Sequence, residues 1–189
     1  MAQPAVILMT KAFCLGENYL NLKTEQILVF NEKGREMNNT EMNLEVAAHF
    51  MNNGIGLADL SVFDETLDPQ VMVETGLSPA GPIEGLENYK NIFAGFADAF
   101  PVDKFVIDEI FGADEKVVVR FTATAVFKKD YYGVKATNQI LDMREVHVLT
   151  FRDGKIVSNI VSGTNFPFEY IMYPALKDLI IGNLPIAED

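Results

Sequence analysis

The chain has 189 residues, of which 49% are hydrophobic, and it carries a formal net charge of −12 at pH 7. This apolar fraction predicts one globular domain with a packed core and excludes a disordered chain. The excess of acids disfavours binding to nucleic acid or to a membrane surface. A single cysteine, Cys14, and two histidines leave no material for a disulfide framework or a cysteine-based zinc site.

Targeting signals are also missing from the sequence pattern. The first apolar run is short and has no basic segment before it, so a secretory signal is not expected. No apolar stretch reaches the length that crosses a bilayer. We therefore expect a cytoplasmic protein.

The first half of the chain predicts mainly helices. Residues 1–40 form an N-terminal extension with a possible strand at ILVF. Apolar residues then recur at helical spacing. The elements predicted up to Pro101 are a helix at about 41–53, a short helix at 57–67, a short strand at 70–76 and a helix within 81–101. The last of these helices carries one aromatic stripe, and Pro101 ends it.

After Pro101 the apolar period changes to two, which indicates strands. The predicted strands are 104–112, 114–129, 140–151 and 155–165, with a loop at 130–139. Asp153-Gly154 predicts a hairpin between the last two. Residues 166–189 form an apolar C-terminal arm, which is expected to cap a pocket or to pack on a partner subunit. This order predicts an α+β domain in which a curved antiparallel sheet wraps helices around a concave pocket.

Five segments in this order resemble the SnoaL-like polyketide cyclase family of the nuclear transport factor 2-like superfamily. They are NNGIGLADLSVFDETLDPQVMVE, GPIEGLENYKNIFAGFADAFP, FVIDEIFGADEKVVVRFTATAVF, YYGVKATNQ and REVHVLTFRDGKIVSN. The resemblance covers about residues 44–165 and implies a cone-shaped barrel around an apolar pocket, with the domain at 41–165. It also implies a homodimer, because family members often dimerise through the sheet.

The resemblance further implies a chemistry that needs neither cofactor nor metal. In the cyclase branch a strand histidine and an acid on the last strand serve an intramolecular aldol ring closure. His147 falls on the histidine position. The position of the acid falls on Val161, or within one residue on Ile160 or Ser162, and none of these is a base.

Glu145 is the candidate for a relocated base. It lies two residues before His147, so the two side chains share one face of a strand. Glu145 could be the base or could hold His147 in one tautomer. In the alternative interpretation the pair lies on a solvated outer face or at a subunit contact. The predicted substrate-binding residues are Phe50, Glu74, Phe96, Tyr132, Asn159 and Val161.

Three functions remain open from the sequence. The first is a cofactor-free cyclase or isomerase that acts by enolate chemistry on an apolar polyketide- or terpenoid-like carbonyl compound, with Glu145 and His147 as catalytic residues. The second is a non-catalytic protein that binds a small apolar organic molecule. The third is a dehydratase or hydrolase in which Asp142, Glu145 or Glu74 positions a water molecule.

Overall fold

Helices precede a long run of strands in the computed structural model, which describes residues 5–8, 27–30, 38–78 and 81–182. The segments with helical periodicity therefore form helices, and the later segments with a period of two form strands. The elements are β1 Ala5–Leu8, β2 Ile27–Phe30, α1 Asn39–His49, α2 Leu60–Thr66, β3 Leu67–Glu74, β4 Ile83–Glu84, α3 Leu86–Ala99, β5 Val102–Ala113, β6 Lys116–Val126, β7 Ile140–Arg152, β8 Lys155–Gly163 and α4 Phe166–Gly182.

Helix α1 begins earlier than the apolar pattern predicts, because Asn38 caps it. The Asn38 side chain accepts a hydrogen bond from the Glu41 backbone N–H, and the Glu41 carboxylate accepts one from the Asn38 backbone N–H. This reciprocal pair is a capping box. A π-helical turn, Phe50–Ile55, follows α1 and turns the chain toward α2.

Six strands form one curved sheet in the order β4-β3-β8-β7-β6-β5. Neighbouring strands are antiparallel except β3 and β8, which are parallel. The predicted curved sheet is confirmed and its run from β5 to β8 is antiparallel, while the parallel pairing of β3 with β8 makes the whole sheet mixed. The last strand enters the sheet between β3 and β7, and a contact between segments so distant in sequence leaves no trace in local patterns.

The hairpin between β7 and β8 fixes the register of the two strands that carry the candidate site residues. Asp153 and Gly154 both adopt positive φ, at 52° and 74°. Two positive-φ residues make a two-residue turn whose twist matches that of the flanking strands. Together with a register shift between Thr150 and Phe151, this turn places His147 directly opposite Val161.

The core lies between the inner face of the sheet and the helices. Phe63 of α2 is fully buried, and its ring lies 5.3 Å from that of Phe50 and 5.2 Å from those of Tyr89 and Phe93. The aromatic stripe of α3 thus packs inward on α2, as its helical spacing predicts. Another face of α3 is left to line the space between this helix and the sheet.

The two ends of the chain form separate features. Strands β1 and β2 pair with each other in a two-stranded sheet, so ILVF does not extend the large sheet. The remainder of the predicted N-terminal extension, up to residue 37, and residues 183–189 of the C-terminal arm lie outside the described residues. None of the described helices is long and apolar enough to cross a membrane.

Candidate active site

A cavity of about 660 Å³ lies between α3, the inner face of the sheet and α4. Apolar side chains form most of its wall. They include Phe93 and Phe96 of α3, Phe105 of β5, Phe121 of β6 and Phe168 of α4. A volume in this range accommodates a drug-sized organic molecule. Helix α4 lies across the mouth, so this part of the C-terminal arm caps the cavity.

Glu145 and His147 of β7 both line the cavity. The period of two in a strand places them on one face, and the register of β7 with its neighbours turns that face inward. The two side chains contact each other, with His147 Nε2 lying 3.2 Å from Glu145 Oε2. Because an ionised carboxylate can only accept, this hydrogen bond assigns a proton to Nε2.

Asn165 holds the other oxygen of the Glu145 carboxylate. Its side-chain Nδ2 donates to Glu145 Oε1 at 2.5 Å, and its Oδ1 accepts from the Arg144 backbone N–H at 2.8 Å. Gly163, opposite Glu145 on β8, leaves the necessary space. A Cβ there would lie 2.8 Å from Asn165 Nδ2 and 3.2 Å from Glu145 Cγ. The carboxylate is therefore fixed at both oxygens.

Tyr89 of α3 brings a hydroxyl group to the same region. Asn159 of β8 donates from Nδ2 to this hydroxyl at 3.4 Å, so the Tyr89 proton remains free for another acceptor. Burial raises the pKa of Tyr89 well above its usual range, and the charge of Glu145 raises it further. The phenol is therefore neutral at ordinary pH and serves as a hydrogen-bond donor.

Two buried polar atoms in this layer lack a partner within the described part of the chain: His147 Nδ1 and Asn159 Oδ1. Their residues occupy diagonal positions on β7 and β8, since His147 faces Val161 and Leu149 faces Asn159. Buried polar groups are nearly always paired in folded proteins. Unpaired atoms at this position mark a polar layer under the cavity rather than an ordinary apolar core.

The residues predicted to bind substrate fall into two groups. Phe96 and Val161 line the cavity together with the Glu145–His147 pair. Asn159 is fully buried and reaches the wall only through Tyr89.

Three predicted binding residues do not contribute to the cavity wall. Val73 pairs with Asn159 on the inner face, so its neighbour Glu74 points to the outer face and is exposed. Tyr132 is exposed in the loop after β6. Phe50 faces inward, as predicted, but it is fully buried against Phe63.

Several polar residues of this site escaped the sequence prediction. Asn165 has the pattern of a turn residue, and Tyr89 that of a core position in an aromatic stripe. The sequence did offer one indication for Tyr89, because a tyrosine buried in an aromatic stripe needs a hydrogen-bond partner for its hydroxyl. Glu169, in the first turn of α4 at the mouth, had no signal at all.

A metal site is not indicated by the described part of the structure. No three or more His, Cys, Asp or Glu side chains among these residues form a group that could hold a metal ion.

Comparison with known proteins identifies a family. The model of the SnoaL-like polyketide cyclase family matches residues 45–162. The matched segment runs from α1 to the end of β8 and includes the Glu145–His147 pair. A comparison with curated proteins found no match.

Solved structures share the fold. A SnoaL-like polyketide cyclase from Jannaschia sp. CCS1 matches with a TM-score of 0.62 at 19% identity, over 81% of this chain and 100% of that one. AclR from Streptomyces galilaeus, designated a hydroxylase, matches with 0.59 at 21% identity, over 80% and 91%. A nuclear transport factor 2-like protein from Burkholderia pseudomallei K96243 matches with 0.54 at 18% identity, over 69% and 96%. At these identities the likeness establishes the fold alone.

Proposed function

Since the chain belongs to the SnoaL-like polyketide cyclase family, we propose that it is a cofactor-free cyclase or isomerase for an apolar polyketide- or terpenoid-like carbonyl compound. The observation that carries this proposal is the carboxylate of Glu145. It lines an apolar cavity, and hydrogen bonds to Asn165 and His147 hold both of its oxygens. A fixed carboxylate facing an apolar ligand is the arrangement that general base catalysis requires.

Exposure distinguishes the roles of the two candidate residues. The side chain of Glu145 is 23% exposed, whereas that of His147 is 3% exposed and its Nδ1 is buried. Glu145 is therefore the group that meets the ligand. His147 is a positioning residue, which orients the carboxylate through Nε2.

Tyr89 supplies the group that a developing enolate requires. Its neutral hydroxyl accepts from Asn159 and keeps its own proton available. A hydrogen-bond donor in a cavity that excludes water stabilises negative charge on a carbonyl oxygen as it forms. Tyr89 and Glu145 both line the cavity, so both can serve one substrate.

The reaction proceeds in three proton-balanced steps. The Glu145 carboxylate removes a proton from the carbon next to a ketone, and the electron pair of that C–H bond forms the enolate, whose oxygen accepts a hydrogen bond from Tyr89. The enolate carbon attacks a second carbonyl of the same molecule and forms the new carbon–carbon bond. Protonated Glu145 then returns its proton to the resulting alkoxide. In an isomerisation, the proton returns to another carbon instead.

One observation favours a second candidate, a binding protein without catalysis. The residues of β8 opposite the pair are Val161 and Gly163, and the next inward residue is Asn159, so these positions offer no carboxylate. In the cyclase branch that this sequence resembles, an acid occupies the position of Val161. A binder needs only the cavity, whereas an enzyme also needs Glu145 to move protons.

The Glu145→Gln variant separates the two candidates. We expect it to reduce enzyme-catalysed deuterium exchange at the methyl group of a naphthyl methyl ketone by about a hundredfold to ten-thousandfold, since the base is lost. Proton NMR in deuterated buffer measures the exchange, and a fluorescence titration measures ketone binding. Glutamine keeps the shape of the side chain, so we expect binding to persist.

Glu74→Gln is the matched control, because it removes the same charge from the outer face of β3. It should exchange the ketone as the unaltered protein does. If the unaltered protein binds the ketone without accelerating exchange, or if Glu145→Gln exchanges normally, the catalytic proposal fails. The binding function would then remain.

A further inference from the structure

The charged groups of the cavity wall are almost all acidic. Among the residues that the structure describes, Glu145 and Glu169 line the cavity and no lysine or arginine does. The only basic side chain that the described residues place on this wall is His147, and its Nε2 already bonds Glu145. In the described part of the chain, the wall therefore has no cation free to pair with an anionic ligand.

Glu169 places the second carboxylate at the mouth of the cavity. It lies in the first turn of α4, one helical turn after Asn165, and its backbone N–H donates to the Asn165 carbonyl at 2.9 Å. The positive end of the helix dipole also lies at this turn. Glu169 offsets that partial charge, so the start of α4 is not an anion site.

Aromatic rings form much of the remaining wall, and they also disfavour an anionic ligand. Phe168 packs edge to face on Phe96 and on Phe100, with centroids 5.6 and 5.2 Å apart, and Phe96 stacks on Phe100 at 5.2 Å. The face of an aromatic ring carries partial negative charge, so ring faces attract cations and repel anions. An anionic ligand would lose its hydration here without gaining a cationic partner from the described wall.

We propose that the cavity selects its ligand by charge, taking neutral and protonated amine-bearing aromatic compounds and rejecting those that carry a carboxylate or a phosphate. This inference deepens the proposed function and rests on it for the assumption that the cavity is the ligand site.

Three probes with one ring system test the proposal: naphthylmethylamine, naphthylmethanol and naphthoate, titrated against the full chain at pH 7. We expect the amine to bind most tightly and the carboxylate least tightly, with at least about a tenfold difference between carboxylate and alcohol. In Glu169→Lys we expect naphthoate to bind about threefold to tenfold more tightly and the amine correspondingly more weakly, while naphthylmethanol is unaffected.

Glu74→Lys is the control, because it makes the same change of net charge on the outer face of β3. Naphthoate binding as tightly as naphthylmethanol, an equal effect of the two lysine variants, or a failure of all three probes to bind would each overturn the proposal. These experiments measure binding alone. Suppose that Glu145→Gln exchanges deuterium as the unaltered protein does, while the amine still binds most tightly and the carboxylate least tightly. The catalytic function would then fail, and this inference would stand.

Discussion

At the scale of single residues, Tyr89 connects the aromatic core to the candidate active site. Its ring packs against Phe63 and Phe93, and its hydroxyl lies beside the polar layer of β7 and β8. Burial is the main reason that its pKa lies above the usual value, with the charge of Glu145 second; the hydrogen bond from Asn159 opposes both. The neutral phenol therefore stabilises the fold below pH of about 10, and that contribution is lost as the pH rises further.

Because its pKa is raised, Tyr89 should keep its proton when the folded protein is titrated to pH of about 10. Near pH 10, where exposed tyrosines ionise, Tyr89→Phe should leave the tyrosinate absorbance of the folded protein unchanged. A loss of absorbance in Tyr89→Phe at this pH would show that Tyr89 ionises normally, and it would remove the donor proposed for the enolate.

The sequence predicted part of the site because strand periodicity is a local property. Glu145 and His147 share a face whatever surrounds them, so their juxtaposition could be inferred. Tyr89 and Asn165 reach Glu145 only after α3 and α4 dock on the sheet. Glu74 shows the opposite error: a strand residue near the expected mouth turned outward, because the register of β3 depends on β8.

At the scale of elements, α4 acts as a wall of the cavity rather than as a free arm. Phe168 packs edge to face on Phe96 of α3, with centroids 5.6 Å apart, and on Phe100 at 5.2 Å. Glu169, Tyr173 and Leu176 of the same helix also line the cavity. The helix contains Pro174. The apolar composition of this segment predicted a capping role, although the sequence left a subunit contact equally open.

Phe168→Ala should open the mouth and weaken ligand binding. Losing two aromatic contacts predicts about a threefold to tenfold lower affinity for naphthylmethanol, measured by fluorescence titration. Tyr170→Ala, an exposed aromatic of the same helix, should bind as the unaltered chain does. Equal affinities in all three proteins would show that α4 does not enclose the ligand.

At the scale of the whole molecule, one aromatic cluster holds the helices against the sheet. Phe63 touches Phe50, Tyr89 and Phe93, and thereby connects the π-helical turn, α2 and α3. The helical order and the strand order were both readable from apolar periods. The parallel pairing of β3 with β8 was not, because it depends on how the layers close.

Phe63→Ala should lower the free energy of unfolding by about 3–5 kcal/mol, since it leaves a cavity in a tightly packed cluster. Phe111→Ala removes an equal side chain from an exposed position and should change it by no more than about 0.5 kcal/mol. Urea denaturation measures both, and an unchanged slope would confirm that stability alone has changed. Similar losses in the two variants would contradict the central role of the cluster.

The insertion of β8 between β3 and β7 has a consequence for biosynthesis. A ribosome adds about 5–20 residues per second, so β3 emerges several seconds before the strand that joins it to the sheet. Until then β3 offers a bare edge, and bare edges invite pairing with other nascent chains. The cavity is thus among the last parts of the protein to form during translation.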